Sequence, residues 1–201
     1  MTEIRKKALT SLKACAGVPV CLILADDIES LLVDDCPLHP AFPYLSETHQ
    51  ADYLRMYVMH VYGGGYSDIK APTGSWVLAF KEFAKRPGVY VSGYRESGPD
   101  CTANVELKDQ WRHLLGNGAY IVRPRTPFTQ AWFDRTHAYL DSKMDALQKH
   151  PATHARDHRS PTSDYPIGWS ELLGQIFHPL CYEFREHLRF DVPIPDCQNY
   201  R

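Results

Sequence analysis

Three consecutive glycines, Gly63-Gly64-Gly65, follow directly on a helical stretch and constrain this chain more than any other feature. Such a run suits neither a helix nor a strand interior, yet it lets the backbone turn through positive φ and lets a ligand approach the main chain closely. Upstream, Ser46-Glu47 supplies an N-cap and a first-turn acid, so the spacing predicts a helix over 46–62 that the glycines end. On that helix Ala51, Leu54, Val58 and Val61 form the predicted buried stripe, with His49, Asp52 and Arg55 on a neighbouring one. After the glycines a short strand over 66–69 is expected, its alternation placing Tyr66, Asp68 and Lys70 on one face and Ser67 and Ile69 on the other. A carboxylate and an ammonium thus emerge side by side at a glycine turn. On spacing alone, an intrahelical Asp52–Arg55 ion pair and a solvated strand end account for the same residues.

The rest of the chain alternates helix and strand. Helical spacing over 3–16 is stopped by Gly17-Val18-Pro19, and the apolar run 20–24 then reads as a strand buried on both faces of a parallel sheet, leaving at Asp26-Asp27. Residues 36–44, with three prolines, form a loop. A turn at 72–74 leads to an amphipathic helix over 75–85 and a strand over 89–94. An irregular stretch, 96–102, precedes a helix over 107–115, a strand over 119–122 and a long helix over 128–147. Helices are also predicted over 169–177 and 181–190. This order implies one domain, 1–201, with a three-layer α/β/α architecture. Residues 150–165 break the rhythm: His, Arg, Ser, Thr and Pro dominate, and the stretch reads as a mobile flap closing over bound ligand. His150, His154 and His158 would line one face as metal ligands only if helical, which Pro151 opposes.

At the glycines the sequence resembles a known family. Ala51-Asp52-Tyr53-Leu54-Arg55 followed by Val61-Tyr62-Gly63-Gly64-Gly65-Tyr66-Ser67-Asp68-Ile69-Lys70 is similar to the sugar-nucleotide-binding region of the DXD-motif glycosyltransferases, in which an Asp-x-x-Arg helix leads through Tyr-Gly-Gly-x-Tyr to an Asp-x-Asp pair. The resemblance covers about 20 of the 201 residues. It implies a GT-A type (nucleotide-diphospho-sugar transferase-like) fold, a UDP- or GDP-sugar donor, a glycan acceptor and a place in glycan or polysaccharide synthesis. Asp52 and Arg55, with Gly64, Gly65 and Tyr66, are then expected around the donor, and Asp68 beside its diphosphate. The family's second acid, which usually holds the divalent metal, is Lys70 here, and an ammonium cannot ligate a metal. Three readings stay open: Mn or Mg is still held, by Asp68 and His178; Lys70 itself stabilises the leaving diphosphate; or the chain only binds.

Looser similarities extend further. Gly116-Asn117-Gly118-Ala119-Tyr120-Ile121 resembles the family's strand end at the sugar pocket, with Asn117 and Gly118 at the donor. Tyr165-Pro166-Ile167-Gly168-Trp169 with Glu171, then Gly174 to Pro179 with His178, resembles its C-terminal part. Tyr165 and Trp169 are expected to support the acceptor, His178 to meet the diphosphate or metal, and Glu171 or Asp164 to serve as base if the mechanism inverts. Relatives commonly begin with a strand that holds the nucleotide base; here a helix comes first, and Asp26 or Asp27 is the expected substitute.

Composition excludes other classes. With 22 basic against 24 acidic residues and a net charge of -2, the chain lacks the excess of a nucleic-acid binder. No apolar run suits a signal peptide or a membrane span, which predicts a cytoplasmic protein. The six cysteines form no Cys-x-x-Cys pair and are expected mostly as thiols. Neither a Gly-x-Ser-x-Gly elbow nor a Walker loop is present. The competing functions are a non-catalytic sugar-nucleotide or glycan binder and, more plainly, an α/β interaction module whose glycines only shape a turn.

Overall fold

The computed structural model describes residues 1–157 and 162–196. Its element order is α1 (Glu3–Cys15), α2 (Glu47–Val61), β1 (Gly64–Ser67), α3 (Val77–Ala84), β2 (Val91–Arg95), β3 (Leu115–Val122), α4 (Pro127–Lys149), α5 (Gly174–Glu183) and β4 (Leu188–Arg189), with short 3-10 turns between. The strands form one mixed sheet in the order β1-β3-β2-β4. β3 pairs antiparallel with both β1 and β2, and β2 pairs parallel with β4. Among the described residues no helix is long and apolar enough to cross a membrane.

Alternation along β3 builds the core on both faces of the sheet. Tyr120 and Val122 join a cluster with Tyr53, Met56 and Tyr57 of α2, Phe128 and Trp132 of α4 and Phe177 of α5. Ala119 and Ile121 point the other way, toward Leu12 of α1, Ala79 and Phe83 of α3, and Trp76. This is the period-two rule of a sheet covered twice. Tyr120 stacks on Phe177 with centroids 5.2 Å apart and meets Trp132 edge-on at 6.1 Å, arrangements that suit the ring quadrupoles.

Local chemistry explains the helix boundaries. Thr2, Ser46 and Thr126 each cap a helix by accepting an N–H three residues on, and Pro127 opens α4 where its missing N–H costs nothing. At the end of α2, Gly63 takes φ 66° and its N–H reaches back to the Val58 carbonyl. A Cβ there would lie 2.5 Å from Pro124 Cδ, so the position excludes any side chain. Within α5, Pro179 cannot donate to the Gln175 carbonyl, and the Asn104 side chain takes that oxygen at 3.5 Å.

Four expectations need correction. The run 20–24 is not a strand: it joins no ladder, Ile23 and Leu24 are 43% and 56% exposed, and the Leu24 N–H goes to Asp27 Oδ2. A short apolar run carries no periodicity that separates a buried strand from an exposed one. The sheet is accordingly mainly antiparallel. The stretch read as a helix over 107–115 is a run of 3-10 turns, Val105–His113, and β3 begins at Leu115. Toward the end, one helix (α5) replaces the two expected, and the chain then re-enters the sheet as β4.

Candidate functional site

The glycine turn and α2 deliver their charges to one place, by a different geometry from the one expected. The face of α2 turned to the core carries His49, Asp52, Tyr53, Met56, Tyr57, Met59 and His60, whereas Ala51 is exposed and Leu54, Val58 and Val61 are only half-buried. The helix has therefore rotated its polar stripe inward. Burying charges demands partners, and Arg55 supplies them. Its guanidinium lies 2.9 Å from Asp52 Oδ1 and 3.8 Å from Asp68 Oδ1, donates to the Asn117 carbonyl at 3.1 Å, and sits over the Tyr66 ring with 4.4 Å to its centroid. Asp68 accepts from Tyr66 Oη at 2.8 Å on Oδ1 and pairs with Lys70 Nζ at 3.0 Å on Oδ2.

Strand alternation is not what joins Asp68 to Lys70. β1 ends at Ser67; the chain then bends, with the Lys70 N–H donating to the Asp68 carbonyl at 2.7 Å, and the bend folds the ammonium back onto the carboxylate. The Asp68 N–H is held by the Gly118 carbonyl at 2.8 Å, which ties the turn to β3. A Cβ on Gly118 would stand 3.3 Å from Asp68 Oδ2 and 3.4 Å from Lys70 Nζ. The register shift between Gly93 and Arg95 re-aims Tyr94, whose hydroxyl accepts the Gly118 N–H at 3.3 Å.

Burial sets the protonation behaviour of this cluster. The Asp52 carboxyl is pushed up to about 6, chiefly by burial, with Arg55 pulling it down and Asp68 pushing it up. Glu96, just beyond β2, is pushed up to about 7 by burial against the opposing pull of Lys70. The sequence offered no signal for Glu96, which falls in a polar stretch with no periodicity.

His178 is fully buried beside Asn117. Its Nδ1 accepts the Ala103 N–H at 3.1 Å, so the neutral ring carries its proton on Nε2, 3.4 Å from the Asn117 side-chain amide. With the amide turned so that its oxygen, otherwise buried without a partner, faces Nε2, that oxygen accepts from the ring. Burial pushes His178 down to about 4. Both ring nitrogens thus have partners within the protein. Among the described residues no three His, Cys, Asp or Glu side chains gather as a metal cage.

A second polar group surrounds the N-terminal end of α2. Tyr165 Oη lies 2.9 Å from His49 Nδ1 and accepts the Ser46 N–H at 3.2 Å. Glu171 Oε2 accepts from Tyr139 Oη and from the Gly168 N–H, both at 2.7 Å. Burial alone would raise the Glu171 carboxyl, but the Gly168 N–H, Tyr139, Lys143 and His49 hold it below its ordinary value. Trp169, next to this group, is 54% exposed.

Other expected residues stand apart. Gly64 (φ 90°) opens to solvent, and Gly65 packs toward Trp76 and Phe80, so neither lies with the charges. Asp164 is a surface residue with an 84% exposed side chain, 3.9 Å from His150. Asp26 and Asp27 are exposed in a 3-10 turn rather than at a strand exit. Over 150–156 the chain is not helical, so His150 and His154 share no helical face; His158 lies outside the described residues.

Compared with family models, curated proteins and solved structures, the chain has no match in any of the three.

Proposed function

We propose that this protein is a glycosyltransferase of GT-A type, moving a sugar from a UDP- or GDP-sugar to a glycan or other hydroxyl acceptor. The observation that carries the reading is the position of Arg55: one side chain contacts Asp52, Asp68 and Asn117, and so joins three separately recognised stretches into one cluster beside the glycine turn. A structural ion pair would need only two of them.

In the proposed reaction the bond from the anomeric carbon to the diphosphate oxygen breaks with its electron pair leaving on the diphosphate. A new bond forms to the acceptor hydroxyl, whose proton passes to a carboxylate if the mechanism inverts. Asp52 and Arg55 orient the donor sugar, Asn117 and Gly118 line its far side, and Glu171, with Oε2 fixed by two donors, faces the acceptor beside Trp169 and Tyr165. Fixed charges aimed at the leaving group supply the activation. A depressed carboxylate suits Glu171 for an ionised role at neutral pH. The donor set does not fit a divalent metal: the second acid is an ammonium and both ring nitrogens of His178 have partners within the protein, so no step is routed through one.

Calorimetric titration with UDP- and GDP-sugars, with and without manganese, tests this reading. Binding followed by slow transfer or donor hydrolysis is expected, with both lost in Asp68→Asn. Binding without turnover favours the non-catalytic sugar-nucleotide binder; no binding to any donor leaves the interaction module.

A further inference from the structure

We propose that Lys70 is a built-in counter-ion for the donor's diphosphate and that this site works without a divalent metal, an inference that rests on the glycosyltransferase reading above. The Lys70 side chain is only 12% exposed and its Nζ lies 3.0 Å from Asp68 Oδ2. A metal on that oxygen would sit at about 2.0–2.4 Å, with an ammonium already bonded to the same atom. Two cations would then share one oxygen of a side chain only 18% exposed. The other oxygen of Asp68 is no more available, since it accepts from Tyr66 Oη at 2.8 Å and has the Arg55 guanidinium 3.8 Å away.

The surroundings hold the ammonium rather than invite an ion. Asp68 is fixed by its own N–H on Gly118, and the bend at 68–70 is closed by the Lys70 N–H, so Nζ is presented from a short, pinned turn. The other acid near it is Glu96, whose carboxyl is pushed up by burial against the pull of Lys70. Two fixed cations, Lys70 and Arg55, therefore flank Asp68 from opposite oxygens. A diphosphate entering here replaces part of Asp68's hold on Lys70 and gains a point charge that needs no dehydration of a bound metal.

The test is calorimetric titration of the full chain with UDP and with GDP, each in EDTA and in manganese, on the wild type, Lys70→Met, Lys70→Arg and Lys70→Asp. The wild type is expected to bind one of the two nucleotides with the same affinity, within about twofold, in EDTA and in manganese. Lys70→Met should weaken that binding by about 30-fold, the size of one charged hydrogen bond, and Lys70→Arg should recover most of it. Lys70→Asp, which restores the acid pair, should bind only when manganese is present. Thermal unfolding of each variant identifies one that has lost its fold, and Lys70→Arg then carries the comparison. The inference is overturned if the wild type binds only with manganese, or if folded Lys70→Met binds as tightly as the wild type. If the wild type binds neither nucleotide under either condition, the glycosyltransferase reading fails and this inference with it.

Discussion

Asp52 and Arg55, one turn apart on α2, form a 2.9 Å ion pair that the fold has taken off the surface: their side chains are 7% and 11% exposed. At that burial the pair is more than the weak surface contact its spacing suggests, because each charge depends on the other to offset desolvation.

Stability should carry the signature of Asp52. In the unfolded chain its carboxyl titrates near its ordinary value of about 3.9, while the folded carboxyl is pushed up to about 6. Between those pH values the native state binds more protons, so this group's contribution falls as pH rises through the window. Asp52→Asn keeps an oxygen for Arg55 and removes the titration. Whatever constant offset the lost charge brings, the variant should gain on the wild type from pH 4 to pH 6 and stay level above it. Urea unfolding at pH 4, 5, 6 and 7 measures this, and a difference that stays flat or moves the other way refutes the assignment.

Removing the cation should be far more damaging than removing the acid. Arg55→Met leaves Asp52 and Asp68 without their shared guanidinium in a buried setting, a loss expected to cost about 3–5 kcal/mol. Arg55→Lys restores a charge but lacks the planar fork that reaches Asp52, Asp68 and the Asn117 carbonyl together, so it should recover only part. Unfolding free energies from urea titration at pH 7 give the order: wild type, then Lys, then Met. Equal stability of the Lys and wild-type proteins would mean that the Asn117 contact contributes nothing.

Much of this was legible beforehand where the signal is local. Ser46 and Gly63 mark the two ends of α2 by chemistry that acts within five residues. What could not be read was which stripe of α2 faces inward. Ala51, Leu54, Val58 and Val61 are the more hydrophobic set, yet the buried set holds Tyr53, Met56, Tyr57 and Met59 together with His49 and Asp52. Partners from β1 and β3, distant in sequence, offset the desolvation of the polar members. The Asp68–Lys70 contact was foreseen as strand alternation and is made instead by a bend, while Glu96 and Tyr94 reach the site through a strand irregularity that leaves no periodic trace.

Acid should destabilise the protein through His178. The ring is fully buried, and burial pushes it down to about 4, well below an unfolded histidine near about 6.5. The unfolded chain therefore takes up a proton first, and this contribution to stability is lost as pH falls from about 6.5 through about 4. His178→Asn keeps an oxygen able to accept the Ala103 N–H, which now goes to Nδ1. The variant should be less stable than the wild type at pH 7 but gain on it steadily toward pH 4. A variant that loses stability in parallel with the wild type over that range would place the acid sensitivity elsewhere.

Two glycines of β3, two residues apart, should respond differently to the same added methyl group, one mainly in stability and the other mainly in ligand affinity. At Gly116 a Cβ would fall 2.1 Å from Tyr94 Cζ, inside the ring's own volume, so the whole side chain must leave its place and its hydroxyl must release the Gly118 N–H. Gly116→Ala should therefore cost toward about 3 kcal/mol, the upper range for overpacking. At Gly118 the contacts are 3.1 Å to Tyr94 Oη, 3.3 Å to Asp68 Oδ2 and 3.4 Å to Lys70 Nζ, which shifts of a few tenths of an ångström relieve. Gly118→Ala should cost nearer about 1 kcal/mol, yet its methyl stands over the Asp68–Lys70 pair where the diphosphate is proposed to lie. UDP or GDP affinity should then fall at least about tenfold, which corresponds to one lost contact of ordinary hydrogen-bond strength. Urea unfolding and calorimetry on the same two preparations separate the effects. If Gly118→Ala keeps full nucleotide affinity, the ligand does not approach over that face of the strand.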